Sequence, residues 1–204
     1  MRLTDFVRRE LRRAFPAGAS VAGDLGYDTT SKRWIATDAR AEAAIWRNAY
    51  CNISDATSIA STAAETDVDK NYTFPANSLV AYQRLRITGS GVYGNTGTPT
   101  ARLKLYLGAN TLFDSSGAWT TDTGATTSNA RVLIDCEVNI RSATQAYAHG
   151  RAILVGPTTT QIVYFTNLVT IDTTIAQACK VAWKWGTSAS ANTMTWKNFS
   201  IEIA

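Results

Sequence analysis

Between residues 131 and 141 the chain reads RVLIDCEVNIR. Val132, Ile134, Cys136, Val138 and Ile140 fall on alternate positions, separated by Leu133, Asp135, Glu137, Asn139 and Arg141. A strict period of two over that length predicts a β-strand with one buried and one wet face. Burying each large aliphatic stabilises the fold by about 1.5–3 kcal/mol, so the strand is expected at the centre of a sheet.

The same rhythm recurs. Leu85 and Ile87 alternate with Arg84 and Arg86, and Leu103, Leu105 and Leu107 with Arg102, Lys104 and Tyr106. Cys179, Val181, Trp183 and Trp185 alternate with Lys180, Ala182 and Lys184, and Phe199, Ile201 and Ile203 share a face near the end of the sequence. Residues 151–155 and 161–165 are apolar on both faces and read as inner strands. The stretch GSGVYGNTG reads as a hairpin tip, and residues 79–88 as a long strand after a turn at Ala76, Asn77 and Ser78, with Pro75 at a strand start. About eight to ten strands at this spacing, with Gly- and Thr-rich turns, predict a mainly β fold: an antiparallel, jelly-roll-like β-sandwich over residues 51–204.

Residues 1–50 read differently, as an N-terminal anchor. Leu3, Phe6, Val7, Leu11 and Phe15 have helical spacing, with Arg8, Arg9, Arg12 and Arg13 on the other side. Pro16 and Gly18 end the pattern. A lone helix of about a dozen residues is marginal in water and needs a surface for its apolar stripe. Leu3, Phe6, Arg8, Arg9, Leu11, Arg12, Arg13 and Phe15 are therefore the candidate partner-docking residues, the alternative being a helix packed on its own chain. A β-hairpin is expected at GDLGYDTTSKRWIA, with Asp28 to Lys32 as its turn. Residues 38–50 suggest a short Ala-rich helix capped by Asp38.

Charged residues make up only 18% of the chain, its net charge is +4, and much of that sits in the N-terminal arginines. No basic stripe is interleaved with aromatics, so nucleic acid is not an expected partner. Cys51, Cys136 and Cys179 are odd in number and widely spaced. Free buried thiols are the favoured reading, with a pairing of any two left open. No apolar run is long enough to cross a bilayer, and the arginine-rich start is unlike a signal peptide.

No reaction centre emerges. His149 is the only histidine, placed at the start of a strand, and neither a GxSxG motif nor a zinc pattern accompanies it. Asp135 and Glu137 share a strand face at ~7 Å, a separation a glycosidase could use, but neighbouring arginines and lysines make cross-strand ion pairing the simpler reading. The glycines of GSGVYGNTG lack the helix and Lys-Ser/Thr of a phosphate loop, and Asp67-Val68-Asp69 lacks a calcium-loop ligand series. No catalytic residue, cofactor or metal is expected. Trp183 and Trp185 share the inward parity of Val181 and read as core, which leaves Trp119 as the weak candidate for a glycan contact.

Two stretches resemble virion proteins of tailed bacteriophages. GDLGYDTTSKRW resembles a hairpin found in phage fibre and appendage proteins. Residues 58–113 resemble a phage structural β-domain through Thr62 to Thr66 (TAAET), Phe74 to Leu79 (FPANSL), Leu85-Arg86-Ile87, Gly91 and Leu105-Tyr106-Leu107-Gly108. The C-terminal half continues in that style, with Ile140-Arg141-Ser142 and a late tryptophan-bearing strand. Tyr82 departs from the pattern, which commonly has glycine there. The resemblance implies a non-enzymatic virion component. Its first expectation is a capsid decoration (cement) or head-fibre protein that docks on the major capsid protein or other virion proteins and forms a homotrimer. The alternatives are a tail fibre or baseplate component, or a module binding host surface glycan.

Overall fold

The computed structural model describes residues 46–116 and 119–204, together with three short strands before them. These are β1 (Asp24–Asp28), β2 (Arg33–Asp38) and β3 (Ala41–Ala43), which form an antiparallel sheet in the order β1-β2-β3. Tyr27 pairs with Trp34 and Asp28 with Arg33, so the expected hairpin forms around the predicted turn. The docking residues Leu3, Phe6, Arg8, Arg9, Leu11, Arg12, Arg13 and Phe15, with their helix, lie outside the described residues.

The chain divides into two compact units at Arg47/Asn48. The second contains β4 (Arg47–Asn52), β5 (Ile59–Ala60), β6 (Thr66–Phe74), β7 (Arg84–Gly94), β8 (Thr100–Leu107), β9 (Asn110–Asp114) and β10 (Trp119–Thr120). It continues with β11 (Arg131–Ser142), β12 (Gln145–Val155), β13 (Thr160–Thr170), β14 (Gln177–Trp185) and β15 (Thr193–Ile203). One sheet has seven strands, in the order β13-β12-β11-β7-β15-β4 with β5 also on β15. The other has five, in the order β10-β8-β14-β6 with β9 also on β8. The pairings of β11 with β7 and β12, β12 with β13, β14 with β8 and β15 with β7 are all antiparallel, and the residue between each inward pair faces out, as the period-two pattern requires.

The chain passes between the layers repeatedly. β4 lies in the large sheet, β6 in the small, β7 in the large, β8 and β9 in the small, β11 in the large, β14 in the small and β15 in the large. The first strand of this series thus lies beside the last, which makes the wrapping jelly-roll-like. The β12–β13 hairpin is an addition that extends the large sheet past β11.

Between the layers, Leu85, Ile87, Leu103, Leu105, Val132, Val138, Cys179 and Val181 are fully buried, on the parity read from the sequence. Three indoles dominate: Trp183, Trp185 and Trp196 are each 0% exposed. Tyr93 on β7 lies 6.4 Å from Trp183 and 6.3 Å from Trp185 on the opposite sheet. Trp196 occupies the space that side chains at Gly89 and Gly91 would need. A Cβ built at Gly89 would sit 2.8 Å from its Cζ2. A bulge at Lys197 shifts the β15–β7 register between Trp196 and Asn198. It moves the inward parity from Met194 and Trp196 to Phe199 and Ile201, so both sets are buried.

Several expectations need correction. The described residues of 38–50 form no helix: Asp38 ends β2, Ala41–Ala43 pairs with it, and Arg47–Asn52 joins β15. Backbone pairing in the sheets outweighs the helix propensity of alanine. The strand expected from Leu79 begins only at Arg84, because Asn77 (φ 60°) and Tyr82 (φ 69°) hold left-handed backbone. Pro75 follows β6 instead of starting a strand. Gly89, Gly91 and Gly94 lie within β7, the first two leaving room for close packing, and the hairpin tip comes after them. His149 sits in the middle of β12, opposite Glu137. Residues 161–165 belong to an edge strand, not an inner one, and Ile162 and Tyr164 on its outer face are 47% and 72% exposed. Cys51 is exposed; Cys136 and Cys179 are buried, and all three are free.

This packing predicts opposite responses at two neighbouring positions. Gly89→Ala forces the indole of Trp196 aside and is expected to cost about 1–3 kcal/mol. The Tyr93 hydroxyl is buried without a hydrogen-bond partner, so Tyr93→Phe removes a desolvated polar group and no bond. Urea unfolding is expected to show a lower midpoint for the first variant and an equal or higher one for the second.

Candidate interaction surfaces

Alternate residues of the large sheet's strands point away from the core, and on β7, β11 and β12 this outer face carries most of the charge. Glu137 accepts two hydrogen bonds from Arg84. Arg86 lies 3.8 Å from Asp135 and 3.9 Å from Glu202, and Arg141 stacks its guanidinium 5.0 Å over the ring of Tyr147. The two carboxylates weighed as an acid pair are therefore each set against an arginine of the adjacent strand. Ion pairs this exposed contribute at most about 1 kcal/mol each, and they engage both carboxylates. A shallow groove of about 320 Å³ runs across it, lined by Arg86, Ser90, Asp135, Arg151, Ile153 and Asn198 among others. His149 stacks on Tyr147 at 5.7 Å between ring centres.

The small sheet is laced similarly. Lys104 pairs with Glu65, Lys180 with Asp67 and Arg102 with Asp114. The ring of Tyr106 lies between Lys104 and Lys180, at 5.8 and 5.3 Å. Asp67 and Asp69 have separate partners, since Asp69 accepts hydrogen bonds from the backbone and hydroxyl of Thr57. Among the described residues no cluster of three His, Cys, Asp or Glu side chains is placed to hold a metal ion. Burial pushes the thiols of Cys136 and Cys179 far above the ordinary range. They stay protonated and unreactive. Trp119 is only 4% exposed, with its ring 6.5 Å from that of Phe113. It is a core residue with no open face for a sugar.

Two surfaces that the sequence reading did not single out are apolar instead. One is the outer face of β13. The other is at an end of the sandwich, where three loops are tied together by backbone hydrogen bonds: Asn77 N–H to Thr173 O, Thr173 N–H to Ala143 O, and Tyr82 N–H to Ile140 O. These loops expose Val80 (56%), Tyr82 (92%) and Ile175 (56%). Tyr82 has a φ of 69°, a left-handed backbone that costs a side-chain-bearing residue about 1–2 kcal/mol.

No protein-family model matches this chain, and no curated protein matches it. Among solved structures, it is similar to the VP2 subviral particle of infectious bursal disease virus (TM-score 0.32, 14% identity), over 93% of this chain and 40% of that one. A structure of the Gt strain of the same virus gives TM-score 0.36 and 15% identity, over 93% and 41%. The CBM2 module of the evolved Dit of Lactobacillus casei BL23 phage J-1 gives TM-score 0.29 and 11% identity, over 90% and 81%. The chain thus spans about two-fifths of the two bursal disease virus chains. The likeness is one of β architecture at low similarity, and the fold assignment rests on the strand order itself.

Asp122 anchors the β12–β13 turn. Its carboxylate accepts hydrogen bonds from the Thr158 and Thr159 amides and the Thr159 hydroxyl. The Thr159 hydroxyl and the Thr158 amide hold its pKa down to about 2, from an ordinary 3.8. A depressed carboxylate stabilises the fold above the ordinary value, and that contribution is lost as pH falls through the folded one. Thermal melts from pH 5 to pH 2 are expected to fall more steeply for the native chain than for Asp122→Asn. Parallel acid limbs would contradict this.

Proposed function

We propose that this chain is a non-enzymatic structural protein of a tailed-bacteriophage particle, and that its β-domain contributes by packing and self-association. The observation that carries the reading is where the phage-like stretch falls in the fold. Phe74, Leu79, Leu85, Ile87, Leu105 and Leu107 are core residues, while Asn77 and Gly108 take left-handed turn conformations. The residues bearing the resemblance therefore encode packing and turns. Asp135 and Glu137 are set against arginines, and the thiols of Cys136 and Cys179 are buried.

The finer reading is a capsid decoration or head-fibre protein. Residues 1–50 dock it on the shell through Leu3, Phe6, Leu11 and Phe15 and the adjacent arginines, and the sandwich projects outward as an oligomer. Mass action favours such a design, because copies that bury each other's surfaces stabilise one another. A glycan-binding role would have to use an exposed aromatic such as Tyr82, since Trp119 is buried.

Quantitative mass spectrometry of purified particles tests the proposal. Hundreds of copies per particle are expected for a shell component, and single or low double digits would move the protein to the tail. Absence from particles would overturn the reading. Deleting residues 1–45, which spares β4, is expected to abolish incorporation while leaving the sandwich folded; unchanged incorporation would refute docking through that segment.

A further inference from the structure

The seven-stranded sheet ends on one side at β13, and among the described residues no strand pairs with its outer edge. An unpaired edge is a template for another strand, and monomeric proteins blunt such edges with charges, prolines, bulges or short strands. β13 has none of these. It runs from Thr160 to Thr170 with no charged residue or proline, and it pairs with β12 without a register shift. It is also held firmly. Asp122 clamps its leading turn, the Gln161 amide donates to Thr120 O, and the Asn167 amide donates to Thr111 O. On its outer face Ile162, Tyr164 and Leu168 are 47%, 72% and 53% exposed.

We propose that β13 pairs antiparallel with β13 of a second copy of this chain, about a two-fold axis at Phe165, joining the two seven-stranded sheets edge to edge. The strand's own sequence selects this occupant. With Phe165 opposite its counterpart, Ile162 faces Leu168 of the other copy, Tyr164 faces Thr166, and Thr160 faces Thr170. Every outer-face pair is thus apolar with apolar, aromatic with threonine, or threonine with threonine. These are combinations that stabilise antiparallel ladders by about 0.2–1 kcal/mol each, and each occurs twice across the axis. No like charges meet. The contact is isologous and closes at two copies; a three-fold contact would need another surface. The proposal stands independently of the virion reading.

Sedimentation of the full-length chain tests it, with two double variants at exposed positions. The native chain is expected to dimerise. Ile162→Lys with Leu168→Lys sets like charges against each other at both ends of the ladder and is expected to weaken the dimer by at least about tenfold. Ile162→Lys with Leu168→Glu sets opposite charges there and is expected to restore it. Both variants place two charged side chains on the same strand, so a general loss of folding would affect them alike; urea unfolding of each provides the check. A monomeric native chain, or a dimer indifferent to the paired lysines, would overturn the pairing. Equal weakening by both variants would overturn the two-fold register, as would be the case if β13 met a different edge.

Discussion

The largest side chains between the two sheets are aromatic, and the backbone is arranged around them. Tyr93 sits against Trp183 and Trp185 across the layers. Trp196 lies where the strand beside it has given up side chains at Gly89 and Gly91. Interiors pack at crystal-like density, so an indole this large needs an equal volume removed opposite it. The bulge at Lys197 belongs to the same solution: without its extra residue, burying Trp196 would turn Phe199 and Ile201 outward. The glycines, the bulge and the parity of β15 follow from one steric requirement. The buried indole N–H groups of Trp183, Trp185 and Trp196 have no hydrogen-bond partner, so these rings contribute through shape and apolar area.

That packing leaves chemistry to the outer faces, where it is largely neutralised. Arginines and lysines on one strand meet carboxylates on the next or on an adjoining loop in both sheets. The basic and acidic groups of these faces are largely engaged with one another. Unsatisfied apolar surface is concentrated instead on the outer face of β13 and at the loop end bearing Val80, Tyr82 and Ile175. The distribution suits a protein whose work is contact.

Much of the fold was legible because period-two alternation is a local signal. It gave the buried face of β8, β11 and β14 residue by residue, and the hairpin of β1 and β2 followed from a polar turn between aromatic flanks. Where the reading failed, a non-local partner or an unusual backbone angle decided the outcome. Alanines around residue 41 favour helix until a sheet edge is available. Residues 79–83 look like strand until the left-handed turns at Asn77 and Tyr82 are known. The two-sided apolar run at residues 161–165 had the composition of an inner strand. Its second face is exposed in the single chain, so the composition is better explained by a partner outside it. Trp119 could not be placed from sequence because its cover, Phe113, lies on another strand.

The central claim is that this molecule works by association, with its open sheet edge as a contact. Hydrogen–deuterium exchange of the full-length chain, followed as protein concentration rises, measures it directly. The account predicts that amides between Thr160 and Thr170 exchange more slowly as concentration increases, while the inner strands β7 and β11 keep their rates. Exchange at β13 that stays independent of concentration would contradict it.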